Sequence, residues 1–132
     1  VNVTEPWPRE YEEFVRLFNE RDYFEAHEVL EDLWVVEVGE LKEFYKGLIM
    51  AAVAICHWER GRPGAALRLH RLAMQRLARV PAIYEGLDAE VLRSALDSLF
   101  AELVANPGLA WQNSFEKRVP LLELKPAMQY GR

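Results

Sequence analysis

Four residues able to do chemistry, His27, Glu31, Lys46 and His57, stand at spacings that bring them together if the chain is helical. At about 100° per residue, His27 and Glu31 share one helix face, with Trp34 beside them one turn on. Lys46 and His57 share a stripe of the next helix, with Met50 and Val53 between them and Arg60 continuing it. Three readings follow. His27 and Glu31 are spaced as adjacent metal ligands, and His57 would complete a two-His-one-carboxylate set with positions open on a divalent metal ion. Glu28 beside His27 begins an HExxH pattern, but Glu31 stands where its second His belongs. Without a metal, His27 could act as an acid or base oriented by Glu31, while Lys46 holds a small anionic ligand over Trp34 and Tyr45. In the third reading the cluster is a structural network fixing helix register, with Glu31 as the carboxylate for Lys46, inside a helical interaction or self-association module.

The elements that position these residues are legible as helices. Pro8 suits the first turn of a helix over about 8–19, whose Tyr11, Phe14, Val15 and Phe18 form one stripe. Asp22 and Glu25, at capping-box spacing, open a second helix that runs to about 37 and stops near Gly39. A third covers about 40–60 and ends at Gly61, a site for a left-handed cap. Pro63 starts a fourth, reaching about 80 before Pro81. Asp88 caps a fifth, with a Leu92, Leu96, Leu99, Leu103 stripe ended by Asn106-Pro107-Gly108.

The third helix is apolar on every side from Phe44 to Trp58 except at Lys46 and His57, which places it in the middle of a bundle. Gly47, Ala51, Ala52 and Ala54 would let neighbours approach closely. Cys56 reads as an inert core thiol, and His70 as a core histidine with a backbone partner. Beyond Pro107, a tail carrying Trp111, Phe115, Val119, Leu121, Leu122 and Leu124 is too apolar to be free in solvent. It must lie across its own bundle or a neighbouring subunit, and the second case would make a homo-oligomer. Strand-like alternation is absent. The expectation is a single domain over 1–132, an all-α antiparallel bundle of about five main helices with a short C-terminal helical or extended tail.

The stretch from His27 to Trp34 has the form HxxxExxW, and Phe44-Tyr45-Lys46-Gly47-Leu48-Ile49 with His57-Trp58-Glu59-Arg60-Gly61 forms a second block. Together the two blocks resemble an uncharacterised prokaryotic family, domain of unknown function number 309, over roughly residues 14–80. The resemblance implies a small helical bundle with no established activity. It singles out His27, Glu31, Trp34, Lys46 and His57 without supplying a mechanism.

Composition bounds the partners. The 132 residues carry a net charge of -5, divided into -9 over 1–45, +6 over 46–81 and -2 over 82–132. The acidic balance argues against a general nucleic-acid binder, and the basic face of the fourth helix (Arg68, Arg71, Arg79) reads as a solvated, salt-bridged surface. The longest apolar run, Leu48 to Cys56, is nine residues, half of the roughly 18 a membrane span needs. One cysteine excludes an internal disulfide and suits a reducing, cytoplasmic setting.

Overall fold

The computed structural model describes the backbone of residues 3–5 and 7–129, with side chains over 7–126. Five α-helices follow in order: α1 Arg9–Asn19, α2 Tyr23–Trp34, α3 Gly39–Glu59, α4 Pro63–Leu77 and α5 Ala89–Ala105. A short 3-10 helix, Asn113–Arg118, sits in the tail. Four strands of two or three residues complete the described chain: β1 Val3–Glu5, β2 Ile83–Tyr84, β3 Leu87–Asp88 and β4 Ala127–Gln129. They form two antiparallel ladders, β1 with β4 and β2 with β3. The all-helical class stands, and no helix among the described residues is long and apolar enough to cross a membrane.

Helix ends explain where the expected boundaries shift. α2 stops at Trp34, about three residues early, and leaves Val35, Val36 and Val38 at an exposed corner before Gly39, whose φ is +69°. Asp22 precedes α2 but its side chain makes no capping bond, so the capping-box expectation fails. Asp88 does cap: its carboxylate accepts from the Val91 N–H at 2.9 Å. Gly61, with φ +75°, ends α3 as expected. The β2–β3 hairpin was missed. Its central residues Glu85 and Gly86 have φ of +49° and +73°, the left-handed pair that a tight two-residue hairpin turn requires.

α3 is the centre. Eleven of its residues are buried, from Phe44 to Trp58, with α2 packed along one side and α4 along the other. α4 comes close at Gly47: a Cβ there would meet Arg76 Cβ and Leu77 Cδ2 at 3.1 Å each. At the far end Trp58 is 1% exposed, and its indole N–H donates to the Leu109 carbonyl at 2.9 Å. Trp111 and Phe115 pack on that same ring. The tail therefore lies on its own bundle. Phe115, Val119 and Leu122 are buried, and Asn19 holds the Leu122 backbone through both its N–H and its carbonyl. Of the two expected positions for the tail, the described residues take the first: Trp111, Phe115, Val119, Leu122 and Leu124 are covered by their own chain, while Leu121 is exposed.

Two glycines separate close packing from helix propensity. Gly47→Val should overpack the α3–α4 contact and destabilise the fold by about 1–3 kcal/mol. Gly64→Ala, in a helix with open space at its Cβ, should stabilise by roughly 0.5–1 kcal/mol. Urea melts of the two variants check this. Equal midpoints would contradict the close approach at Gly47.

Candidate functional site

α2 and α3 run antiparallel, so Trp34 faces the start of α3 and Phe24 faces its end. At the Trp34 end, the ammonium groups of Lys42 and Lys46 each lie 4.5 Å from the indole centroid. At the other end, the Arg60 guanidinium lies 4.9 Å from the Phe24 ring. Between them, His27 packs edge-on against Phe24 at 4.9 Å. A row of cations along α3 and its C-cap Arg60 is thus matched to rings on α2. Each such contact stabilises by about 0.5–1 kcal/mol where solvent still reaches it.

The polar side chains are used locally. His27 Nδ1 donates to the Phe24 carbonyl one turn back, and its Nε2 lies 3.5 Å from the Glu31 carboxylate. Glu31 is consequently turned toward His27, and Lys46 takes the face of Trp34 in place of the expected Glu31 partner. An indole face can hold an ammonium that keeps part of its hydration, so the lysine on this stripe needs no carboxylate. His57 stands apart from these contacts. Its Nδ1 is buried without a hydrogen-bond partner among the described residues. Burial, then the guanidiniums of Arg62, Arg60 and Arg68, hold its imidazole below the usual histidine range.

Among the described residues, no three His, Cys, Asp or Glu side chains are grouped so as to hold a metal ion. His27, Glu31 and His57 do not make up the expected ligand set. Trp34 is half-buried with its N–H unpartnered, while Trp58 is a core residue as expected. Cys56 is also core, and burial pushes its thiol up to about 11, away from thiolate chemistry.

The structure adds a pair that sequence reasoning missed. His70, 6% exposed, donates from Nε2 to Asp97 Oδ1 on α5 at 3.0 Å. Its ring stacks flat on Phe100 at 4.2 Å. The expected backbone partner is replaced by this carboxylate, and Nδ1 is left buried and unpartnered. Asp97 and Phe100, three residues apart on α5, were the available signal: one face of that helix offers a carboxylate beside a ring.

The charge blocks pair only in part. Glu43 on α3 meets Arg76 at 3.3 Å and Arg79 at 3.9 Å. The first approach is close but not aligned as a hydrogen bond, since Arg76 Nε has no acceptor in line. Glu25, Glu28 and Asp32 on α2, and Arg68 and Arg71 on α4, form no ion pair among the described residues. Those faces are solvated, as expected, but they are not salt-bridged to one another.

His70 makes stability depend on pH with a defined sign. Burial lowers its folded pKa below the ordinary 6.5, the Asp97 bond only partly opposing it. The unfolded chain therefore binds the proton more readily, and stability falls as pH drops below about 6.5. Between about pH 7.5 and about pH 5.5, the wild type should lose more melting temperature than His70→Gln. Parallel slopes in scanning calorimetry would contradict the neutral buried imidazole.

Comparison with known proteins places the α2–α3 cluster in a family context. Residues 11–69 match the family described as Domain of unknown function (DUF309). A protein of Aquifex aeolicus (strain VF5) described as "Uncharacterized protein" is 29% identical over 92 residues, 68% of this chain and 28% of that one. "Uncharacterized protein YpuF" of Bacillus subtilis (strain 168) is 31% identical over 101 residues, 74% of this chain and 58% of that one. The chain therefore spans less than two thirds of the length of either relative. His27, Glu31, Trp34, Lys46 and His57 all fall inside the matched segment, which runs from α1 into α4, and His70 lies one residue beyond it.

Proposed function

We propose that the protein is a non-catalytic helical interaction module that associates with itself. In this reading His27, Glu31, Trp34 and Lys46 form the seam that holds α2 to α3, His57 is a structural residue of α3 outside that seam, and 1–132 acts as one helical unit. The observation that carries it is the division of labour on the surface. The polar cluster is spent on local contacts, whereas outward acids on α2 and outward arginines on α4 are unpaired among the described residues. Opposite charges on different faces of one chain favour contacts between copies. A cytoplasmic setting is part of the proposal, and the lone buried thiol of Cys56 fits reducing conditions.

A second reading is favoured by His57 alone. An unpartnered buried nitrogen on α3, acted on by the guanidiniums of Arg62, Arg60 and Arg68, is a setting for a small anion. Inorganic phosphate titrated against the protein should shift the His57 ring resonances in this reading. Resonances that do not move remove it.

Sedimentation velocity tests the main reading. Species heavier than the monomer should appear with rising concentration, and their fraction should fall as salt screens the charged faces. A monomer at every concentration up to about 100 μM would overturn it, because association that weak falls below about 5 kcal/mol. Lys46→Met and His27→Gln should lower the melting temperature and leave the mass distribution unchanged. A changed mass distribution with an unchanged melting temperature would contradict the structural role of the cluster.

A further inference from the structure

Two surfaces of this chain are incomplete, and they complement each other. The first is the corner between α2 and α3. Val35, Val36 and Val38 are 63%, 74% and 76% exposed. Every charged residue from 25 to 40 is acidic: Glu25, Glu28, Glu31, Asp32, Glu37 and Glu40. Glu28, Glu31 and Asp32 also border a groove of about 600 Å³ that runs to Trp34 and Val35. Three neighbouring β-branched side chains in water are a liability unless something covers them, since burying one valine fully is worth about 1.5–3 kcal/mol.

The second surface lies between α4 and α5, which pack together less closely than α3 and α4 do. A groove of about 600 Å³ opens there, walled by Leu67, Met74, Ala78 and Val104. Val104 is 64% exposed. The charge is the reverse of the first surface. α4 contains no acidic residue, Arg71 lines the groove, and Arg68 is exposed beside it. Asp97 is the acid on the lining, and His70 already engages it.

We propose that the α4–α5 groove of one copy receives the 35–38 corner of a second copy, with Arg68 and Arg71 meeting Glu28 and Asp32. This rests on the self-association reading and names its surfaces. Two grounds select a second copy as the occupant. The groove is apolar with a cationic edge, and the corner is apolar with an anionic edge, so the chain carries both halves of one contact. The tail that would otherwise supply an apolar interface is folded onto its own bundle. Because the two patches differ, the contact is heterologous, and repeating it from copy to copy builds a closed ring or an open chain.

Charge reversal reads the contact directly. Asp32→Arg and Arg71→Glu should each weaken association by about tenfold or more in sedimentation velocity, and the double variant should recover most of the loss. Val36→Asp should weaken it without rescue by either reversal. All three positions are exposed, so the fold is retained, which circular dichroism verifies. The apolar dye anilinonaphthalene sulfonate serves as a probe of the groove: its binding should fall as the wild type associates. Association that persists unchanged in every variant overturns this pairing and leaves self-association standing. A wild type that stays monomeric overturns both. Dye binding that is equal in monomer and assembly shows the groove free to take a small apolar ligand, and that also overturns the pairing.

Discussion

An α-helix that is apolar around nearly its whole circumference cannot be left in water, and α3 is such a helix from Phe44 to Trp58, with Lys46 and His57 as its exceptions. It must be enclosed on every side, and the rest of the chain is arranged to do that. α2 and α4 flank it, the tail brings Trp111 and Phe115 onto Trp58 at one end, and Gly47 lets α4 settle against it at the other. The hydrophobic gain scales with the area removed from water, so each covering element is held mainly by what it buries of α3. The tail is committed for the same reason. Leu109 accepts the Trp58 indole N–H, and Asn19 clamps the Leu122 backbone, so the last apolar stretch completes the core.

The polar residues on α3 are best understood against that enclosure. His57 stands outside the contacts with α2, its Nδ1 buried, whereas Lys46 extends its ammonium over an indole face of α2. This solution differs from a buried ion pair in its cost. A buried Lys–Glu pair would have to recover the desolvation of two charges, whereas an ammonium on a ring at the rim keeps part of its hydration. Arg60 on Phe24 repeats the device one end further along. Glu31 is then left to His27, and the cluster divides into neighbouring contacts with no shared centre.

Much of this was legible in the sequence. The five helices, the buried course of α3, the close approach at Gly47, the Gly61 stop and the Asp88 cap each follow from local periodicity or from one residue's conformational preference. What was not legible depends on tertiary geometry. α2 stops about three residues short at Trp34, and Val35, Val36 and Val38 stand exposed in the corner that follows, before the positive φ of Gly39. The Lys46–Trp34 contact and the Lys46–Glu31 pair are equally compatible with the spacing, and only the relative rotation of α2 and α3 decides between them. His70 found a carboxylate 27 residues away; the Asp97 and Phe100 face of α5 offered that partner, but only the packing of α4 on α5 brings the two together. The positive φ of Glu85, a non-glycine residue, hid the β2–β3 hairpin.

The surface then inherits what the core does not use. α2 turns Glu25, Glu28 and Asp32 outward and α4 turns Arg68 and Arg71, and among the described residues Glu43 connects the two blocks through Arg76 and Arg79. The most direct measurement is the concentration dependence of the valine methyl resonances in a selectively labelled sample. We expect those of Val36, Val38 and Val104 to shift together as the protein is concentrated, while buried Val15 and Val119 stay fixed. Shifts confined to one of the two patches, or none in either, would contradict a contact made between the α2–α3 corner and the α4–α5 groove.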